Sequence, residues 1–147
     1  MSAIQEEKVK QALRVFLSYT MADRIYARKL HSLLSRRSNL RIFTMEMLSA
    51  GEDWESKLKD ELSQSDIFMV LLSSNSVDSP WLLHELGAAW ALDKPIIPIV
   101  THPEVVPKIP FPLAGIQSVQ IKDIEKPEII SRILEHYGEM AASDNSG

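Results

Sequence analysis

The chain has 147 residues, 45% of them hydrophobic and 24% charged, which suits one domain with a substantial core and excludes disordered and fibrous classes. Its net charge of −4 gives no electrostatic drive toward nucleic acid or an anionic membrane as a direct partner. It contains no cysteine, so disulfides, thiolate catalysis and Cys-based zinc sites are excluded, and reducing cytoplasm is the expected compartment.

Residues 1–12 read as a lead-in with no apolar signal region. Leu13 to Tyr19 (LRVFLSY) is short, apolar and β-rich, which predicts a first strand. A first helix follows over 22–37, with Ile25, Leu30, Leu33 and Leu34 at helical spacing. The short run LRIF (Leu40 to Phe43) predicts a second strand. Thr44 to Trp54 reads as a loop around Gly51, and a second helix covers Trp54 to Ser63. Asp66 to Ser73 (DIFMVLLS) is almost continuously apolar, as a strand buried on both faces should be.

A turn-rich stretch, SNSVDSP, leads into a third helix that runs to about Leu92. Pro80 suits its first position and Ser79 its N-cap. PIIPIV supplies a fourth strand, ending at Val100. The loop that follows carries Pro103, Pro107, Pro110 and Pro112, which predicts extended chain with at most a short helical turn. IQSVQI (Ile116 to Ile121) is the expected fifth strand, and Pro127 to Met140 an amphipathic closing helix. Residues 141–147 read as a disordered tail or as a linker to a further domain. No apolar run is long enough to span a bilayer.

Strands alternating with helices imply a flavodoxin-like α/β fold: a five-stranded parallel sheet in order 2-1-3-4-5 with helices on both faces. Ligands bind such sheets beyond the carboxyl ends of the strands, where the winding reverses. Here that rim lies between strands 1 and 3. It should carry Ser18, Tyr19 and Thr20 from the first strand and Ser73, Ser74 and Asn75 from the third.

The third helix starts from the same rim and has an unusual composition. Its sequence, PWLLHELGAAWAL, implies burial on most sides, with Leu82, Leu86 and Ala89 on one face and Leu83, Gly87 and Trp90 on another. Gly87 costs about 1 kcal/mol relative to alanine in a helix interior, which suggests close packing there. Trp81 and Glu85 are four residues apart and share a face. A lone glutamate in a second helical turn is usually solvated, and a lone tryptophan is usually core. The pair together, beside the switch point, points instead to a carboxylate and an indole in a crevice. His84 points about a quarter-turn away and reads as solvent-facing or at the core edge, with no second metal ligand at helical spacing. No Gly-rich phosphate loop, nucleophile elbow or metal-ligand cluster is present. A single carboxylate can hold ribose hydroxyls and stabilise an oxocarbenium-like transition state at C1′. This suits a leaving group that departs without needing a proton, as nicotinamide does from NAD.

The residues RVFLSYT, MEMLSAGEDW, SQSDIFMVLLSSNSVDSPWLLHEL and KPIIPIV together resemble a TIR (Toll/interleukin-1 receptor) domain over Leu13 to Val100, and the order of elements extends the likeness over 13–140. The most specific match is Ser-x-Trp-x-x-x-Glu-Leu at Ser79, Trp81, Glu85 and Leu86. The resemblance implies an NAD glycohydrolase with Glu85 as the catalytic residue. It implies that Ser18, Tyr19, Thr20, Ser49, Ser79 and Trp81 contact the substrate. The products would be nicotinamide and ADP-ribose or a cyclic isomer, with no cofactor and no metal. It also implies self-association through the loop after the second strand, with Met45, Met47, Leu48 and Gly51 as the contact loop, and a part in immune defence signalling. Glu46 and the Ala50–Gly51 pair depart from the usual Asp and Pro-Gly of that loop. Leu82 stands where animal members often have Cys, and a C-terminal Phe-Trp box is missing. These departures favour a bacterial member, or less so a plant one. Two other readings compete: a TIR scaffold that only associates, which has no need of Glu85, and a nucleoside deoxyribosyltransferase-like hydrolase, which HELGAAWALDKPI also fits.

Overall fold

The computed structural model describes residues 13–37, 39–45, 51, 53–110, 113, 117–126, 128–133 and 135. Its strands are β1 (Leu13–Ser18), β2 (Leu40–Phe43), β3 (Ile67–Leu72), β4 (Ile96–Val100) and β5 (Val119–Gln120), and its helices are α1 (Arg24–Ser35), α2 (Trp54–Gln64), α3 (Pro80–Ala91) and α4 (Ile121–Ile124). All pairings are parallel and the sheet order is β2-β1-β3-β4-β5, as expected from the alternating pattern.

Strand alternation divides the core into two layers. Val15, Leu17, Ile67, Met69, Leu71, Ile97 and Ile99 face α1, packing with Ala27, Leu30 and Leu34. Phe16, Phe68, Val70, Leu72, Ile96 and Val100 face α2 and α3, packing with Leu58, Leu62, Leu82, Leu86 and Ala89. On this second face Phe16 stacks on Phe68 at 5.5 Å and meets Phe43 at 5.2 Å between ring centroids. Both central strands are buried along most of their length, which explains their nearly unbroken apolar runs.

Several sequence expectations need correction. A 3-10 turn, Met21–Asp23, precedes α1, because the backbone N–H of Asp23 closes on the Thr20 carbonyl at 2.9 Å. Ile25 is 74% exposed; Ala27, three residues before Leu30, completes the buried stripe of α1 instead. The proline-rich loop carries a 3-10 helix over Pro103–Lys108. β5 is only two residues long, and Ile121 opens α4 rather than closing the strand. Helical backbone resumes over 128–133; the remaining span of the expected closing helix, from 136, lies outside the described residues.

The third helix is not buried on most sides. Leu83 and Trp90 are 37% and 55% exposed, and a Cβ built on Gly87 meets nothing within 4 Å. Close packing therefore does not explain that glycine. The buried stripe is Leu82, Glu85, Leu86 and Ala89, an i, i+3, i+4, i+7 set that seats one face of α3 on the sheet. Glu85 belongs to that apolar stripe itself.

Candidate active site

The upper end of β1 sets the site. Ser18 has the same parity as Phe16, so its side chain projects toward α3. α3 is fixed there by its first turn: Ser79 accepts the Leu82 N–H at 3.4 Å, and Pro80 occupies the first helical position. One turn further on, the stripe that carries Leu82 and Leu86 against the sheet carries Glu85 to the end of β1. The Ser18 hydroxyl donates to Glu85 Oε1 at 3.1 Å. Serine and glutamate are 2% and 1% exposed.

A cleft of about 380 Å³ opens at this point, lined by Leu17, Ser18, Tyr19, Thr20, Met21, Met45, Ser79, Trp81 and Glu85. It lies where the sheet winding reverses, as the topology requires. Among the described residues, two buried side-chain oxygens have no hydrogen-bond partner, Thr20 Oγ1 and Glu85 Oε2, and both belong to residues of this cleft. An unpaired buried polar atom costs roughly 1–3 kcal/mol. Two such atoms on residues of one cleft are the pattern of a polar ligand site, since the other buried side-chain polar atoms among the described residues have partners.

Burial pushes the Glu85 carboxyl from 4.5 up to about 7; the Ser18 hydroxyl and the neighbouring Trp81 indole act in the opposite direction. Desolvation dominates because neutral donors such as a hydroxyl and an indole offset only part of the loss of water. A carboxyl so placed changes charge near neutral pH and is a functional-site candidate for that reason. Trp81 is 37% exposed and flanked by two rings. Trp54 lies 5.3 Å away at 59°, and His84 lies 6.3 Å away at 27°. His84 itself is exposed, in keeping with its expected position.

The expected site residues fall into three groups. Glu85, Ser18, Tyr19, Thr20, Ser79 and Trp81 meet in the cleft, although the Ser79 oxygen is already engaged in capping α3. From the loop after β2, Met45 joins them, half-buried and packed on the second core layer. Gly51 is exposed with φ +89, a backbone state that favours glycine. Ser49, Met47 and Leu48 lie outside the described residues.

The expected contribution from the end of β3 is not in the cleft. Ser73 is buried and donates to Asp23 Oδ2 at 2.8 Å, while its backbone N–H donates to Ser76 Oγ at 2.8 Å. Ser74 and Asn75 are exposed and do not line the cleft. This segment instead braces the 3-10 turn after β1 that presents Thr20 and Met21. Asp23 and Trp54 escaped the sequence reading. Asp23 sits at a predicted helix start, where an acid is expected for dipole reasons alone. Trp54 opens α2 and gave no periodic signal. Among the described residues, no group of three or more His, Cys, Asp or Glu side chains is placed to hold a metal, and no helix is long and apolar enough to cross a membrane.

The family model of the TIR domain matches residues 15–134. No curated protein sequence matches the chain. Among solved structures, the chain is similar to the TIR domain of the Toll-related receptor TRR-2 from Hydra magnipapillata, with 19% identity, 83% of this chain and 94% of that chain covered, and a TM-score of 0.65. It is similar to a metazoan TIR-STING receptor from C. gigas at 22% identity, covering 78% of this chain and 40% of that one, with a TM-score of 0.60. It is also similar to the Clostridium botulinum CMP N-glycosidase BcmB at 17% identity, covering 79% and 98%, with a TM-score of 0.54. The 2-1-3-4-5 parallel sheet accords with these likenesses, and a family match running from β1 through the helical segment after α4 establishes that the chain belongs to the TIR domain family.

Proposed function

We propose that this TIR domain is an NAD glycohydrolase, cleaving the bond between nicotinamide and ribose to give nicotinamide and ADP-ribose or a cyclic isomer. The observation that carries this reading is Glu85, a buried carboxylate with one unpartnered oxygen at the wall of the switch-point cleft. Nicotinamide bonded to ribose is cationic. As the C1′–N bond breaks, its electron pair passes to the ring, which leaves neutral without a proton. The positive charge then moves to the ribose, and the carboxylate of Glu85 stabilises it in a poorly solvated site. Water attack at C1′ with loss of a proton yields ADP-ribose, and attack by a nucleophile of the same molecule yields the cyclic product. Thr20 Oγ1 and Glu85 Oε2 supply the hydrogen-bonding atoms that ribose hydroxyls need. Ser79 and Trp81 on the cleft wall place the start of α3 beside the substrate. A similar fold in a CMP N-glycosidase supports N-glycosidic cleavage as a chemistry this scaffold accommodates.

Self-association is part of the same proposal. The loop after β2 borders the cleft through Met45, and its sequence adds Met47 and Leu48, an apolar set suited to contact with a second copy. A role in immune defence signalling accords with the receptor relatives. The test is incubation with NAD at high protein concentration with nicotinamide release as readout. Release from NAD supports the proposal. Inert NAD with cleaved deoxynucleosides would favour the deoxyribosyltransferase-like reading, and no cleavage of either would leave a scaffold.

A further inference from the structure

A dinucleotide has two bases, and the cleft has room for little more than one nucleoside. Its volume of about 380 Å³ lies near the low end of ligand sites, which run from about 300 to 1,000 Å³. With the scissile ribose at Glu85, the second base falls outside the nine lining residues. The surface next to the cleft on the α2 side is aromatic. Trp54 touches Trp81, with 5.3 Å between ring centroids, yet does not itself line the cleft. It is 50% exposed. Leaving half an indole in water forgoes burial that most tryptophans obtain, and position 54, at the start of α2, could carry any helix-starting residue.

Building on the glycohydrolase reading, we propose that Trp54 is the stacking platform for the adenine-type base of the substrate. Trp81 and Glu85 are one helical turn apart, about 5–6 Å between Cβ atoms, and the Trp54 ring lies 5.3 Å from the Trp81 ring between centroids. Two contacts in succession, Glu85 to Trp81 and Trp81 to Trp54, put the Trp54 ring at a distance that a ribose–pyrophosphate–ribose linker can bridge from the scissile ribose. Stacking on an indole face asks nothing of the base beyond a π-surface. Trp54 therefore selects for a substrate that carries a second aromatic base, and it acts on binding rather than on the departure of nicotinamide.

The experiment uses NAD as probe with the slowed Glu85→Gln variant at high protein concentration. Titration calorimetry gives the affinity, and saturation-transfer NMR reports contact at adenine and nicotinamide protons separately. Adding Trp54→Ala should weaken NAD binding roughly 5- to 150-fold, the range of base–aromatic stacking. It should abolish saturation of the adenine protons and preserve that of the nicotinamide protons. Trp54→Phe should restore most of both, and melting temperature should stay unchanged. Retained adenine saturation in Trp54→Ala, or equal loss at both rings, overturns the platform. So does an effect confined to the concentration dependence of activity, which would make Trp54 a contact between copies. Absence of nicotinamide release from NAD by the parent protein, with Glu85 and Trp54 both intact, would instead overturn the glycohydrolase reading on which the platform rests.

Discussion

Replacing Glu85 by glutamine should cost activity and gain stability, and the gain should depend on pH. The folded protein raises the carboxyl from 4.5 to about 7. At 1.36 kcal/mol per tenfold, that gap amounts to roughly 3 kcal/mol by which folding disfavours the carboxylate. A raised acid binds its proton more readily when folded than when unfolded. The contribution of Glu85 to folding stability is therefore greatest below pH 4.5, where both states are protonated. It falls as pH rises toward 7 and levels off above, where both states are ionised. Glutamine has the shape and neither charge nor slope. The unfolding free energy of Glu85→Gln minus that of the parent should thus increase by up to about 3 kcal/mol between pH 4.5 and pH 7–8. Urea unfolding of both proteins at pH 5, 6, 7 and 8 measures it, with other titrating groups cancelling in the difference. Activity should move the other way. The variant should lose on the order of 10²-fold or more in rate, as when one electrostatic stabiliser is removed. The parent's kcat/KM should rise with pH through about 7 as the working carboxylate forms. Parallel stability profiles across this range would refute the buried, raised carboxyl, and an active Glu85→Gln enzyme would refute its role in charge stabilisation.

Ser18→Ala removes the hydroxyl that donates to Glu85 Oε1; the carboxyl should rise further, moving the midpoint of the kcat/KM profile to higher pH, and an unmoved midpoint would show that the bond does not tune Glu85. Trp81→Ala should lower cleavage and alter the ratio of linear to cyclic product. Because Trp81 is 37% exposed, its loss should cost well under the ~3–5 kcal/mol of a buried tryptophan; a collapsed melting temperature would make it a core residue instead. Specific activity should rise steeply with protein concentration, and Leu48→Glu should flatten that rise without unfolding the domain; activity per molecule that is already constant in a monomer would mean that one chain completes the site.

Local signals along the chain sufficed to establish the order of elements and hence the sheet. Apolar runs such as IFMVLL and the capped helix start at Ser79–Pro80 are local signals, and parallel winding leaves few topologies for five alternating units. The sequence also singled out Glu85 and Trp81, because a carboxylate four residues after an indole is visible in any helical projection. Local pattern failed where burial depends on neighbours far along the chain. Gly87 read as a close-packing site and proved exposed, since helical spacing tells which residues share a face but not how many faces the sheet covers. Ser73 read as a rim ligand and proved a brace, because its partner Asp23 is fifty residues away. Only the tertiary structure placed Glu85 within the apolar stripe, with Ser18 sixty-seven residues away as its partner. That placement strips the carboxyl of water and leaves Oε2 unpartnered at the cleft wall, and desolvation, a property of the surrounding fold and not of the residue, is what raises its proton affinity.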